Sequence, residues 1–233
     1  MSKRTFATAH EAAGHYSSLG FSVIPVPGGS KHPGREKWQE ERHTEADIPR
    51  VFNGDVNIGL QNGQPSGHVV DVDLDTPEAI AAAHFFLPPT GATYGRPGKQ
   101  HSHRLYRVAG VVKTQQFKGK PPDAKSATMI MELRSTGTQS LLPPSRHPSG
   151  EVYEWEGNGD PAEIEPEALL KAVRATAAAA LIGMYWPDPG SGVRHDCALA
   201  LAGYVGVALH AQWHGRAVLV ARSMARTSGR SGA

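Results

Sequence analysis

The apolar and polar positions along the chain follow two periods, which together predict a mixture of helices and strands. Residues 6–19 carry apolar side chains at the spacing of one helix face, and Gly20 follows where a helix end favours glycine. Short apolar runs between Gly- and Pro-rich turns predict strands instead. These runs cover residues 21–25, 56–60, 68–73, 92–96, 103–108, 128–134, 139–143 and 152–155.

Local capping residues predict where further helices begin. Thr76 and Pro77 supply an N-cap and a first-turn proline for a helix over residues 77–86. Thr44 and Asp47 have the spacing of a capping box, which predicts a short helix. Longer helical patterns occupy residues 165–181 and 194–210.

The order of these elements predicts an α+β fold, with a mixed or antiparallel central sheet flanked by helices. The stretch YWPDPGSG, residues 185–192, is rich in Pro and Gly and has the composition of a hinge. We therefore expect one domain over residues 1–183 and a small helical C-terminal segment over residues 184–233. The final stretch, MARTSGRSGA, predicts a disordered tail.

Composition excludes several classes of protein. Of the 233 residues, 39% are hydrophobic and 20% are charged, which is typical of a globular chain. No apolar run is long enough to span a bilayer, and the N-terminus lacks the apolar core of a signal peptide. The single cysteine, Cys197, excludes an internal disulfide and a cysteine-rich zinc site. We expect a cytoplasmic protein without a membrane partner.

The stretch GHVVDVDLDTPEA, residues 67–79, brings acidic residues into an apolar strand. Side chains two positions apart share one face of a strand, about 7 Å apart at their origins, so Asp71 and Asp73 point the same way. Val70 and Val72 then point into the core. Two like charges at this distance repel each other unless a cation lies between them, and a divalent metal is the usual solution. The alternative is a solvated strand end.

A second apolar strand carries a single acid. The segment MIMELR, residues 129–134, places Glu132 and Arg134 on one face, with Met131 and Leu133 on the other. A buried glutamate requires a cationic partner. Glu132 therefore either joins a metal site or forms a structural ion pair with an arginine.

Between the two acid-bearing strands lies a basic segment, RPGKQHSHRLYRV, over residues 96–108. It belongs to a longer stretch, residues 94–125, that holds eight Lys or Arg residues and one acid. Such blocks favour partners that bear phosphate, although they also occur as ordinary solvated surface. Acids for a metal, combined with His, Arg and Lys for phosphates, are what phosphoryl transfer from a nucleoside triphosphate requires.

Other functions share part of this pattern. A glycosyltransferase also uses a strand-borne D-x-D with Mn²⁺, but it does not account for the His103 strand and the Glu132–Arg134 strand in this order. A non-catalytic nucleic-acid-binding module of a replication protein would not use the acids. A metal-dependent nuclease would cleave nucleic acid without any need for triphosphates.

Four segments, taken in order, resemble one family. They are GFSVIPVPGGSKHPGREKW, NIGLQNGQPSGHVVDVD, YGRPGKQHSHRLYRV and MELRSTGTQSLLPPSRHPSGEVYEW. They resemble the opening, the lead into the acid pair, the histidine motif and the third-acid motif of the bifunctional DNA primase/polymerase (prim-pol) domain of the archaeo-eukaryotic primase superfamily. The resemblance spans about residues 19–155. Any one motif is modest, whereas the ordered set is specific.

The resemblance implies roles for individual residues. Asp71 and Asp73 match the first acid motif and Glu132 matches the third, and these residues would hold two Mg²⁺ or Mn²⁺ ions. His103 matches the motif histidine and would contact the incoming triphosphate as part of the catalytic set. In the familiar form of this motif a small residue lies two positions before the histidine, where this chain has His101.

Further nucleotide-binding candidates lie outside the acid motifs. Arg134 shares a face with Glu132 and is expected to bind a phosphate or sugar. Ser145 and His147 lie in the Pro-Pro-Ser loop and are expected to line the nucleotide pocket. Lys31 is a weaker candidate for the same pocket.

The implied activity is template-directed nucleotidyl transfer in replication, as a DNA primase, a DNA polymerase or both. The implied partners are a single-stranded or primed DNA template and nucleoside triphosphates, with a replicative helicase as a further candidate. Residues 185–205 also resemble the helical segment that often follows such domains in replication proteins of phages and mobile elements.

Overall fold

The computed structural model describes residues 4–120, 125–187 and 190–208, and the statements below concern these residues. The chain divides into two compact units. The first comprises Met1–Leu74, Pro88–Gln116 and Glu132–Leu170, and the second comprises Asp75–Leu87, Phe117–Met131 and Lys171–Ala233. No described helix is long and apolar enough to cross a membrane. The predicted C-terminal tail lies outside the described residues.

The described helices begin close to the predicted positions. They are α1 (Ala9–Ser18), α2 (Ile48–Val51), α3 (Pro77–Phe86), α4 (Pro166–Met184) and α5 (Arg194–Ala208), with short 3₁₀ turns at Trp38–Glu40, Glu45–Asp47 and Gln64–Ser66. Residues 209–210, the predicted end of the last helix, lie outside the described residues.

Side-chain caps explain the helix starts. Thr76 Oγ1 accepts a hydrogen bond from the backbone N–H of Ala79 at 3.2 Å, so the predicted N-cap of α3 is confirmed. The capping box of Thr44 and Asp47 is also present. α1 begins at Ala9 rather than at residue 6 because Thr8, a residue that the pattern did not single out, is its N-cap.

The strands form two sheets, and the predicted α+β fold is confirmed. The strands are β1 (Val23–Pro27), β2 (Val56–Gln61), β3 (Val69–Leu74), β4 (Thr93–Arg96), β5 (Lys99–Val108), β6 (Gln115–Gly119), β7 (Thr128–Arg134), β8 (Gln139–Leu142), β9 (Glu154–Trp155) and β10 (Ala162–Ile164). One sheet has the order β1-β2-β8. The other has the order β6-β7-β3-β5-β4-β9, with β10 beside β5. β3 and β5 are antiparallel, and β10 is parallel to β5.

Two strands escaped prediction because their sequences carry little apolar pattern. β6 alternates exposed with partly buried residues at the end of its sheet, and β10 is only three residues long. β5 also begins earlier than predicted, at Lys99, because the polar residues before His103 still pair with β4 across an irregular register. Pairing at the margin of a sheet does not require apolar side chains, so hydrophobicity does not reveal it.

The edge strand β1 accommodates two prolines. β1 pairs antiparallel with β2, placing Pro25 opposite Ile58 and Pro27 opposite Val56. The carbonyl oxygen of Pro25 accepts a hydrogen bond from Arg35 Nη1 at 2.9 Å, so the backbone of Pro25 faces away from β2. Because proline lacks an N–H, this outward orientation preserves the pairing with β2.

An aromatic group anchors the first unit. The Tyr16 hydroxyl of α1 donates to the carbonyl oxygen of Pro143 at 2.5 Å and accepts from Trp155 Nε1 at 2.8 Å. Trp155 packs edge-on against Tyr94, with ring centroids 5.1 Å apart, and Tyr94 stacks on His103. The core is therefore continuous with the strand that carries the predicted catalytic histidine.

In the second unit, small residues allow two helices to pack closely. Ala82 of α3 and Ala179 of α4 are buried together, and Phe85 and Phe86 pack against them. The backbone N–H of Asp75 donates to the carbonyl oxygen of Ile130 at 2.8 Å, in the link that precedes α3.

Candidate active site

The acid pair of β3 is buried rather than solvated. Asp71 is 0% exposed and Asp73 is 5% exposed, while Val70 and Val72 are also buried. Both faces of the strand are therefore covered, and the alternative of a solvated strand end is wrong. Ionised side chains in such a place require hydrogen-bonding or charged partners.

His103 supplies the first of these partners. The antiparallel register places His103 of β5 opposite Asp73 of β3. His103 Nδ1 lies 2.9 Å from Asp71 Oδ2, and His103 Nε2 lies 3.8 Å from Asp73 Oδ1. Because an ionised carboxylate only accepts hydrogen bonds, Nδ1 carries the proton and donates it to Asp71. The histidine ring thus stands between the two aspartates.

Two tyrosines hold the His103 ring in place. The Tyr94 ring stacks on it at 4.5 Å between centroids and at an angle of 6°. Tyr153 meets the same ring edge-on at 5.7 Å, and also meets the ring of His147 edge-on at 6.1 Å. Burial raises the pKa of Tyr153 to about 12, with a smaller contribution from Asp73. Tyr153 therefore remains a neutral wall between the two histidines.

Glu132 and Arg134 join the aspartates through a shared guanidinium. Arg134 Nε donates to Glu132 Oε2 at 2.7 Å, and Arg134 Nη2 lies 2.6 Å from Asp73 Oδ2. Gln116 Nε2 donates to the other Glu132 oxygen at 2.8 Å. The predicted ion pair of Glu132 and Arg134 is therefore present, and it extends to Asp73. We call Asp71, Asp73, His103, Glu132 and Arg134 the acid cluster.

Neighbouring positive charges lower the pKa of Asp73. Burial alone raises the pKa of its carboxyl, but the charges of His103, Arg134, Lys99 and Lys31 together hold that pKa below its ordinary value. For Arg134, burial lowers the pKa, and the surrounding acids more than compensate, so the net shift is upward. The pair is therefore ionised across the neutral range.

Lys31, the weaker candidate, lies near the acid cluster together with two other cations, Arg96 and Lys99. We call these three residues the cationic group. Lys99 Nζ lies 3.9 Å from Asp73 Oδ1. Burial and the charges of Lys31, Arg96 and Lys99 lower the pKa of His147. Lys31 and Lys99 thus act on both Asp73 and His147, and these cations belong to the same part of the first unit.

Ser145 and His147, the two candidates in the Pro-Pro-Ser loop, differ in burial and in their contacts. The Ser145 hydroxyl is buried and accepts a hydrogen bond from the backbone N–H of Ile58 at 2.8 Å, which fixes the loop to β2. His147 is partly exposed, and its Nδ1 lies 2.8 Å from Ser149 Oγ. The structure therefore gives Ser145 a backbone contact, and His147 faces both Tyr153 and the cationic group.

Sequence reasoning missed two side chains that hold the acids in place. Ser140 of β8 donates to Asp71 Oδ2 at 2.6 Å, and Gln116 of β6 donates to Glu132. Ser140 comes 69 positions after Asp71, so no local spacing could reveal it. Its position in a short apolar strand is the one local signal, since a serine inside such a strand must find a polar partner.

The donor set fits a divalent cation at two of the three predicted ligands. Asp71 Oδ1 and Asp73 Oδ1 are buried, and neither has a hydrogen-bond partner among the described residues. Carboxylate oxygens of this kind are the ligands that Mg²⁺ prefers. Both oxygens of Glu132 already accept hydrogen bonds, and the described part of the chain contains no group of three His, Cys, Asp or Glu arranged around a metal position.

The comparisons with known proteins place this cluster in a family. No curated protein and no solved structure gives a match. The family model for the N-terminal domain of bifunctional DNA primase/polymerase, Prim-Pol, matches residues 13–168, which is more than half of the chain. That region includes the whole acid cluster, the Pro-Pro-Ser loop and Lys31. The resemblance inferred from the ordered motifs is confirmed: this chain belongs to the bifunctional DNA primase/polymerase (Prim-Pol) family.

Proposed function

We propose that this chain catalyses template-directed nucleotidyl transfer in replication, as a DNA primase, a DNA polymerase or both. Membership of the Prim-Pol family supports this class of activity. The observation that carries the proposal is the buried contact of Asp71 and Asp73 with one histidine, His103. Burying two acids beside a histidine is costly for folding, and it is explained if the group binds a charged reactant.

Divalent cations are the proposed cofactors. Asp71 and Asp73 would bind two Mg²⁺ or Mn²⁺ ions through the carboxylate oxygens that lack hydrogen-bond partners. Glu132 is the proposed third ligand, and it becomes available when a phosphate competes for Arg134. Bound ions of this kind lower the pKa of an attacking hydroxyl and stabilise the leaving pyrophosphate.

His103 and Arg134 are the proposed contacts to the incoming triphosphate. Because Nδ1 of His103 is committed to Asp71, Nε2 is the nitrogen that can meet a phosphate oxygen. The planar guanidinium of Arg134 binds phosphate oxygens through paired hydrogen bonds. Lys31 and His147 are proposed to extend this surface, while Ser145 is proposed to position the loop that carries His147.

The proposed macromolecular partner is a single-stranded or primed DNA template. The basic stretch over residues 94–125 contains eight Lys or Arg residues and one acid, which favours binding to a phosphate backbone. A replicative helicase remains a proposed further partner, on the strength of the resemblance of residues 185–205. Binding to DNA should weaken steeply as the salt concentration rises.

The experiment that tests the proposal is nucleotide incorporation by the whole chain. The protein is incubated with a single-stranded template, labelled nucleoside triphosphates and Mn²⁺ or Mg²⁺, beside the double variant Asp71→Ala/Asp73→Ala. Glu163→Ala, which removes an exposed acid from β10, is the matched control. We expect products from the wild type and the control, and none from the double variant. Equal product from the double variant would refute the metal-binding role.

The same assay separates the alternative functions. Turnover of a nucleotide sugar without incorporation would favour a glycosyltransferase. DNA binding that persists in EDTA, without any product, would favour a non-catalytic replication module. Cleavage of the template in the absence of triphosphates would favour a nuclease.

A further inference from the structure

The first unit contains a cavity that the proposed chemistry does not use. Its volume is about 410 Å³, and its lining includes Trp38, Arg42, Gln61, Asn62 and Thr138. We call it the Asn62 pocket. Among the residues that the structure describes, no carboxylate lines it, and Arg42 is the one charged lining residue. A cavity of this size can hold a small organic ligand, and its polar groups indicate which kind.

The orientation of the Asn62 amide is fixed by its neighbours. The Ser140 hydroxyl donates its proton to Asp71 at 2.6 Å, and the Thr138 hydroxyl donates its proton to the carbonyl oxygen of Ser135 at 2.7 Å. Both hydroxyl oxygens can therefore only accept from Asn62. Asn62 Nδ2 donates to them at 3.0 and 3.2 Å. The amide nitrogen is thus used, and the amide oxygen points elsewhere.

That oxygen is an unused acceptor. Asn62 is 0% exposed, and its Oδ1 has no hydrogen-bond partner among the described residues. A buried carbonyl oxygen is costly to leave unpaired, so a ligand that donates to it gains affinity. The ligand must present an N–H or O–H at this point. A phosphate oxygen would be repelled there.

The other lining residues define the rest of the ligand. Arg42 is held at the wall by its Nη1, which donates to the carbonyl oxygens of Gln39 and Glu41 and to Gln61 Oε1. Its guanidinium can offer further hydrogen bonds to an acceptor on the ligand. Trp38 also lines the pocket, and aromatic side chains at a pocket wall favour flat ring ligands. A nucleobase is a flat ring that carries both a donor and an acceptor on its edge, so it matches these groups.

We propose that the Asn62 pocket binds a nucleobase, with a ring or exocyclic N–H of the base donating to Asn62 Oδ1 and an acceptor of the base facing Arg42. The base can come from a free nucleotide or from an unpaired position of single-stranded DNA. The site is separate from the triphosphate contacts and does not require catalysis. It is nevertheless two hydrogen bonds from the acid cluster, through Ser140 to Asp71.

Calorimetric titration of the whole chain with the four 2′-deoxynucleosides in EDTA tests the proposal. Nucleosides carry no phosphate, so their binding does not report on cations or on triphosphate contacts. We expect saturable binding of at least one nucleoside. The variant Asn62→Leu should weaken it about 3- to 10-fold or more, as expected for one lost hydrogen bond.

Two further variants keep the test decisive if Asn62→Leu does not fold. Arg42→Met keeps most of the side chain, and should weaken nucleoside binding about 3- to 10-fold. Arg50→Met removes an arginine that is 75% exposed and lies outside the pocket, and should change nothing. Absence of binding by all four nucleosides would overturn the proposal. So would undiminished binding in both Arg42→Met and a folded Asn62→Leu.

Competition identifies the source of the base. A ten-residue DNA strand that carries the base of the bound nucleoside and a matched abasic strand are added to the complex of protein and nucleoside. Displacement by the base-bearing strand alone identifies an unpaired DNA base, and displacement by neither strand identifies a free nucleotide. Equal displacement by both strands would show that the DNA backbone occupies the pocket, and would overturn the proposal.

A final variant separates this inference from the proposed function. Asp73→Asn should lose nucleotide incorporation and retain nucleoside binding, because Asp73 does not line the pocket. Incorporation without nucleoside binding would refute the pocket alone. Nucleoside binding without incorporation by the wild type would refute the proposed function alone.

Discussion

The acid cluster and the Asn62 pocket are built on opposite electrostatic principles. In the cluster, buried charges balance one another, with Arg134 between Asp73 and Glu132 and His103 between the aspartates. The pocket is lined mainly by neutral side chains with one cation, Arg42, and one buried oxygen there has no donor among the described residues. The first arrangement suits charged reactants, whereas the second suits a neutral ring. Ser140 connects the two regions, because its hydroxyl accepts a hydrogen bond from Asn62 and donates one to Asp71.

The largest expected effect follows from removing an acid of the cluster. Asp73→Ala should reduce nucleotide incorporation by at least about 100-fold, because metal ions contribute several kcal/mol to transition-state stabilisation. The measurement is the initial rate of incorporation at saturating Mn²⁺. Asn62→Leu, run beside it, should retain far more activity. Equal losses in the two variants would erase the distinction between the regions.

The next largest expected effect is a loss of stability when Arg134, the cation shared by two acids of the cluster, is removed. Arg134→Met leaves Asp73 and Glu132 without their shared partner, and we expect the free energy of unfolding to fall by about 3 kcal/mol. This is the lower end of the range for buried pairs, since the Arg134 side chain is 25% exposed. Urea unfolding measures the change. Arg42→Met, whose partners are neutral oxygens, should cost only about 1 kcal/mol.

Ser140→Ala tests the connection between the two regions. It removes a hydrogen bond to an ionised carboxylate and should lower the free energy of unfolding by about 1.5 kcal/mol. It should also weaken nucleoside binding slightly, because Asn62 then keeps only its bond to Thr138. Urea unfolding and calorimetric titration provide the two measurements. Ser126→Ala, at an exposed position between β6 and β7, is the matched control.

The smallest expected effect is on acid stability in metal-free buffer. Because the pKa of Asp73 is lowered in the folded chain, its ionised form stabilises the fold above the unfolded value of about 3.9. That contribution disappears as the pH falls through the lowered pKa. Stability of Asp73→Asn should therefore decline less between about pH 5 and pH 3 than that of the wild type. Asn62→Leu should follow the wild-type slope, and a flattened slope there would contradict the comparison.

Local signals accounted for much of the fold. The N-cap at Thr76 and the capping box of Thr44 and Asp47 were predictable because each involves residues three positions apart in sequence. The α+β class followed from the order of apolar segments. β6 and β10 were not predictable, because their pairing depends on neighbouring strands rather than on their own side chains.

The residues of the candidate site also differ in whether a local sequence signal reveals them. Asp71, Asp73 and His103 stand out because charged or polar side chains interrupt apolar strands, and ordered motifs point to them. Ser140 and Asn62 do not, since their importance arises from contacts between distant segments. The pocket requires the folded arrangement of several turns, so no spacing in the chain reveals it.

The prolines of β1 have a consequence for assembly. On the side of β1 that faces away from β2, the donor positions at Pro25 and Pro27 lack hydrogen, and Arg35 covers the oxygen of Pro25. An extended peptide that paired with this edge would lack the backbone N–H donors that a regular strand provides. Fibril-like stacking and peptide capture are disfavoured along this border, and contacts with other macromolecules must rely on side chains there.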